Sequence, residues 1–306
     1  MPELPEVTVI VNQLDKKLKG LVLDSIEYDW PKKFDWGKYS IKDLKGKQVE
    51  KVERIGKIII IKLGKSQRVK ESEDLEEMAI LIHLKLTGQL IYQDAKSRIA
   101  GGHPIPPLNL PVPNKTTRVT FAFTNPSTNS GQVAGYLYFN DMRKFGWVKI
   151  AEGVRSKVKE AIGMELGPDP LTISYGEFSK RLEKRGQSRI KKLLMDQSFI
   201  AGVGNIYSDE ALWRAKIHPK RSAISLKPSE VRILYDGIRK SLKLAIAKGG
   251  SSANAYVDSG GEKGLYLSYA KAYHMTGKPC ARCKTPIARQ KMDGRSAHFC
   301  PNCQKL

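Results

Sequence analysis

The chain has 306 residues, enough for two domains of ordinary size, each with its own core, and an appendage. Its 53 lysines and arginines face 31 aspartates and glutamates, a formal charge of +22 whose self-repulsion an anionic partner would offset. A membrane surface fits poorly because the basic residues are not gathered beside an apolar helical stripe, no run reaches membrane-spanning length, and MPELPEV lacks the parts of a signal peptide. Nucleic acid is the expected partner and a soluble, cytoplasmic chain the expected setting.

Val7, Ile10, Val11, Leu14 and Leu18 recur at helical spacing before a stop at Gly20, and Glu3 and Glu6 suit the start of that helix. β-rich runs follow at Lys57 to Leu63, Met78 to Tyr92, Arg118 to Phe123, Gly135 to Phe139 and Phe145 to Ile150, which predicts a β-sandwich or barrel-like domain. A charged stretch, Lys65 to Glu77, and a Pro- and Gly-rich one, Gln93 to Thr117, read as surface loops. From about Val154 the pattern turns helical, with Gly167-Pro-Asp-Pro170 as a connector. Pro228 opens a long helix on which Val231, Leu234, Ile238, Leu242 and Ile246 share a face and which ends at Gly249-Gly250. Residues 250–278, rich in Gly, Ser and Tyr, predict a loop leading to the cysteines.

All four cysteines fall in the last 27 residues, as Cys280-x-x-Cys283 and Cys300-x-x-Cys303. Two thiolate pairs on two short turns are what a tetrahedral zinc ion requires, and four thiolates leave no open position, so the ion is structural. The intervening segment reads as two strands joined at Asp293-Gly294, a hairpin too small to hold itself without the metal. At the other end, removal of Met1 would expose Pro2 as a secondary amine able to form an iminium. An α-amino group titrates near ~8, so part of it is unprotonated at neutral pH. A Pro-Glu start also simply opens helices, and only context separates the two readings.

That context is MPELPEV, RIGK ending at Lys57, DMRKFG from Asp141 to Gly146, LMDQSFIAGVGNIYSDE from Leu194 to Glu210, and the four-cysteine module. In this order the motifs resemble the formamidopyrimidine-DNA glycosylase and endonuclease VIII family over nearly the whole chain. Leu4 within PELPE looks like the formamidopyrimidine branch. The resemblance implies a Schiff base between Pro2 and C1′ of an oxidised purine nucleotide, then elimination. It implies proton handling by Glu3 at the deoxyribose, proton transfer and a phosphate contact by Lys57, and phosphate grip and the second, δ, elimination by Arg295. Each also has a plain reading: a helix-start carboxylate, a solvated strand-edge lysine and a solvated hairpin arginine. The role of Glu6 is less defined.

A base must leave the stack before C1′ can be attacked. Arg143 and Phe145 match the family's filling residues, against the alternative of a hairpin with Phe145 in the core, and Leu86 stands where many relatives place Met. Gly202-Val-Gly204-Asn205 matches a helix-two-turn-helix whose amides and Asn205 side chain would meet a phosphate, against the alternative of a plain turn joining two helices. His83 falls at a phosphate-contacting histidine, or is a satisfied core residue. Two departures stand out: Thr116 or its neighbour replaces a DNA-touching histidine, and the lesion loop, Ser251 to Tyr269, reads GLYLSY.

The fold expected is α+β and multidomain. Residues 1–152 form an N-terminal β-sandwich with an N-terminal helix, 153–270 a helix-two-turn-helix domain with the lesion loop, and 271–306 the zinc hairpin. The expected activity is base-excision repair glycosylase and lyase, acting as a monomer on double-stranded DNA that holds oxidised bases or abasic sites. The alternatives are the oxidised-pyrimidine branch and a non-catalytic DNA-binding relative.

Overall fold

The computed structural model describes residues 1–64, 77–102, 110–127, 132–153, 155–251 and 265–306. Most of the stretch 65–77, part of 93–117 and residues 252–264 of the lesion loop lie outside them. The described chain divides into two compact units, one of residues 1–2 and 6–164, the other of residues 3–5, 165–251 and 265–306.

In the first unit, helix α1 (Leu4–Leu18) precedes β1 (Val22–Tyr28), β2 (Phe34–Asp35), α2 (Ile41–Leu44), β3 (Gln48–Ile55), β4 (Ile58–Gly64) and β5 (Met78–His83). Then come β6 (Gly88–Asp94), β7 (Arg98–Gly102), β8 (Thr117–Thr124), β9 (Val133–Asp141), β10 (Trp147–Glu152) and α3 (Arg155–Ile162). The strands form one sheet in the order β2-β10-β5-β4-β3-β1-β8-β9-β6-β7. Its halves join where β1 and β3 share the single paired position Val22↔Gln48, flanked by register shifts in both strands. A join so narrow and bulged lets the halves fold toward one another. One core accordingly takes Ile59, Ile80 and Ile82 from one half and Phe121, Leu137 and Phe139 from the other. The α1 residues Val7, Ile10, Val11, Leu14 and Leu18 join it, as their spacing predicts.

Two of the expected β-rich runs contain a turn or a loop. The run Met78 to Tyr92 is two strands, because Lys85 takes a left-handed φ of +48° and Gly88 N–H donates to Leu84 O, closing a turn. The run from Phe145 begins only at Trp147, since 142–146 is a loop held by Asp141.

In the second unit, α4 (Tyr175–Lys184), α5 (Ile190–Met195), α6 (Asn205–Ala215) and α7 (Pro228–Ala247) enclose a core that includes Leu4, Leu193, Tyr207, Leu234 and Leu242. α7 starts at Pro228, where a missing N–H costs nothing, and Glu230 accepts the Lys227 N–H at 2.8 Å. After α8 (Tyr266–Tyr269) comes the hairpin β11 (Ala288–Met292) and β12 (Arg295–Phe299), turning at Asp293 and Gly294, both at positive φ as its turn type demands. No described helix is long and apolar enough to cross a membrane.

Candidate active site

Glu3 is buried just ahead of α1, yet its carboxylate caps another helix. Oε2 accepts the N–H of Gly204 at 2.8 Å and of Tyr207 at 3.4 Å, and Oε1 accepts that of Ile206 at 2.9 Å. These amides lie at the start of α6, where the helix has no internal acceptor for them and its dipole favours negative charge. The next residue is held alongside, Leu4 N–H donating to Gly202 O at 3.0 Å. Gly202 has a φ of +109°, and a Cβ there would lie 2.7 Å from the Leu4 side chain. The two glycines of the GVGN motif thus seat Glu3 and Leu4. That revises the expectation of a phosphate on this row of amides, since three of them already face a carboxylate. Asn205 opens the helix with its Oδ1 buried and without a hydrogen-bond partner. Pro2, joined to Glu3 by the chain, is also buried.

In the first unit, Lys57 sits in the tight turn between β3 and β4, buried, after Gly56 at a φ of +57°. His83, last in β5, pairs with Ile58 on one side and Trp147 on the other. Its Nδ1 accepts the Lys85 N–H at 2.9 Å, which leaves Nε2 to carry the proton of a neutral ring. Burial, with the Lys85 and Lys57 ammonium groups nearby, pushes its pKa down to about 3.

Leu86, partly exposed, and the pair Arg143 and Phe145 lie on adjacent turns tied by Asp141. The fully buried Asp141 takes a hydrogen bond from Thr87 Oγ1 and accepts the amides of Arg143 at 3.2 Å and Gly146 at 2.7 Å. Held this way, Phe145 is 45% exposed, not packed in the core, and the Arg143 guanidinium stands 4.9 Å from its ring centroid. Thr116 is buried, its hydroxyl bonded to Asn114.

The four cysteine Sγ atoms of the second unit lie within 4.8 Å of one another, and Cys283 is 3.4 Å from both Cys300 and Cys303. Zinc–sulfur bonds of about 2.3 Å place tetrahedral ligands about 3.8 Å apart, so the set fits one structural zinc ion. Arg295 is exposed at the start of β12, at a cleft of about 440 Å³ that Arg185, Lys192 and Asp196 also line.

Behind it, Asp209 of α6 is buried; its Oδ2 meets the His298 N–H at 3.0 Å and Nδ1 at 2.9 Å, and its Oδ1 takes Lys191, which also donates to Ser296 O at 2.9 Å. Glu210 accepts the amides of Lys271, Ala272 and Tyr273 at 2.8–3.0 Å. One helix therefore carries the Glu3 carboxylate at its start and the strand of Arg295 farther along. Asp141, Asp209 and Glu210 stand inside the quoted motifs, but only their distant partners reveal what they do.

Three family models cover most of the chain. The formamidopyrimidine-DNA glycosylase N-terminal domain matches residues 1–148, its H2TH domain residues 166–256, and a zinc finger found in FPG and IleRS residues 277–306. A formamidopyrimidine-DNA glycosylase of Pelotomaculum thermopropionicum is 37% identical, with all of both chains covered. The chain belongs to the formamidopyrimidine-DNA glycosylase family. Another member, from Enterococcus faecalis, is 35% identical over all of this chain and 98% of its own. Among solved members, Lactococcus lactis Fpg in complex with abasic-site DNA has a TM-score of 0.79 at 30% identity, covering 99% of this chain and 100% of its own. MutM in complex with DNA containing carbocyclic 8-oxo-G has a TM-score of 0.80 at 30% identity, with all of both chains covered. The mixed α/β fold and the zinc site agree with this membership.

Proposed function

We propose that this chain is a base-excision repair enzyme that removes oxidised purines, 8-oxoguanine and formamidopyrimidines, from double-stranded DNA and then cleaves the abasic strand by β,δ-elimination. Full-length membership of the glycosylase family carries this reading, and relatives solved with abasic-site and 8-oxo-G-containing DNA support it.

In the proposed mechanism the Pro2 amine, freed of Met1, bonds to C1′ as the damaged base leaves. The sugar ring opens to an iminium, and Glu3, held by three amides, handles the proton at the deoxyribose oxygen. Lys57 transfers protons and, with His83, contacts phosphate, Asn205 contacts phosphate from the start of α6, and Arg295 grips phosphate during the δ step. Arg143, Phe145 and Leu86 fill the space left by the flipped nucleotide, a role their exposure on two tied turns favours. The functional segments are 1–152, 153–270 and 271–306. The enzyme works as a monomer in the cytoplasm, associated with the nucleoid through DNA.

Borohydride reduction during reaction with duplex DNA containing 8-oxoguanine tests the reading. A covalent protein–DNA complex that forms with the lesion duplex and not with undamaged duplex is expected; no complex with either contradicts it.

A further inference from the structure

At the end of the sheet near Lys57, four neighbouring strands bring a row of residues into register. Ile58 of β4 pairs with His83 of β5, and His83 pairs with Trp147 of β10. Phe34 of β2 pairs with Val148, one position on, and Lys33 O accepts the Val148 N–H at 2.9 Å, so Lys33 stands beside Trp147 at the open edge. Phe34, Ile59, Ile82 and Val148 face the core. Strand alternation therefore turns Trp147, His83 and Ile58 to the opposite face, and Lys33, in the turn just before β2, stands at the edge beside them. The His83 and Trp147 rings are 5.6 Å apart between centroids.

Lys85, two residues beyond His83 in the turn after β5, adds a second cation beside this row. Lys33 is exposed and Lys85 half-buried, and among the described residues neither side chain has a carboxylate in an ion pair. The nearby carboxylate, Asp35, is engaged by Lys149 at 3.9 Å. Burial, and then the Lys33 ammonium, hold the Lys85 pKa below the ordinary lysine value. Lys85 does this from a φ of +48°, a region that favours glycine. Two like charges within electrostatic reach are a cost that an anion beside them would offset. Three strand spacings of about 4.8 Å make the row about 14 Å long, more than a single phosphate group needs.

We infer that Lys33 and Lys85, with Trp147 as an apolar floor between them, extend the DNA-backbone track outward from Lys57 and His83, each lysine neutralising one phosphate flanking the lesion. The inference rests on the proposed DNA-repair function and adds two binding residues to it. Charge complementarity and continuity with Lys57 select a DNA backbone as the occupant.

The test is binding of undamaged duplex at several salt concentrations by the wild type, Lys33→Ala, Lys85→Gly and the double variant. Lys38→Ala is the charge-matched control, since Lys38 is exposed, pairs with Glu152 at the other end of β10 and lies off the row. Each row variant is expected to flatten the slope of log K against log salt by about 0.9, and the double variant by about twice that. Lys38→Ala should leave the slope in place. Lys85→Gly serves as an internal check on folding, because glycine suits the left-handed φ and the melting temperature should hold or rise. Row variants whose slopes match that of Lys38→Ala would overturn the inference while leaving the repair function standing. A wild type with no salt-dependent affinity for duplex would remove both.

Discussion

A Cβ on Gly204 would lie 2.4 Å from the Glu3 carboxyl carbon, and the amide of Gly204 donates to that carboxylate at 2.8 Å. The φ of Gly204 is −135°, open to any residue, so the glycine is required for space and not for backbone freedom. Gly204→Ala should displace Glu3 from the start of α6 and lower single-turnover excision about 100-fold, the scale of a misplaced catalytic group. Excision at the wild-type rate would remove Glu3 from the chemistry.

Asp141 and Phe145 should separate stability from extrusion. Asp141→Ala strips the acceptor from Thr87 and from the amides of Arg143 and Gly146, at an expected cost of about 3 kcal/mol in chemical denaturation. Phe145→Ala removes a half-exposed ring and should shift stability by about 0.5 kcal/mol or less. It should nonetheless slow 8-oxoguanine excision from duplex DNA far more than it weakens binding to undamaged duplex. Equal losses in both assays would argue against a wedge.

The contrast between these residues shows what a sequence can disclose. The zinc hairpin is legible because its signals are local: two Cys-x-x-Cys turns and an Asp-Gly between short strands. The core faces of α1 and α7 are legible because 3.6-residue periodicity is local too. Glu3 reads as a cap for its own helix, yet it caps α6, about 200 residues away in the chain. Asp209 reaches His298 and Asp141 reaches Thr87, partners that no spacing announces. The break at Lys85 is hidden because a lysine stands where a glycine would have signalled the turn.

Zinc removal should act through the hairpin, not through chemistry. Cys300→Ser, or chelation, should loosen β11 and β12 and the exposed Arg295 they carry, so that DNA binding weakens and the hairpin amides exchange freely. A metal-free protein that binds duplex with wild-type affinity would refute the structural role.

His83 ties stability to pH. Its folded pKa, about 3, lies below its ordinary value of 6.5, so the unfolded chain binds the proton more readily. The resulting stabilisation is complete above pH 6.5 and is lost as pH falls toward about 3. His83→Asn should show a shallower loss across that window in urea titrations. A parallel loss in both proteins would mean that His83 does not titrate there.

The location of the trapped adduct decides whether the amine of Pro2 attacks the sugar. After borohydride reduction and proteolysis, mass spectrometry should place the reduced sugar on the N-terminal peptide at Pro2, with Met1 absent. An added N-terminal extension that blocks the amine should abolish trapping. An adduct carried mainly by Lys57 or another internal lysine, or undiminished trapping by the extended protein, would rule Pro2 out as the nucleophile.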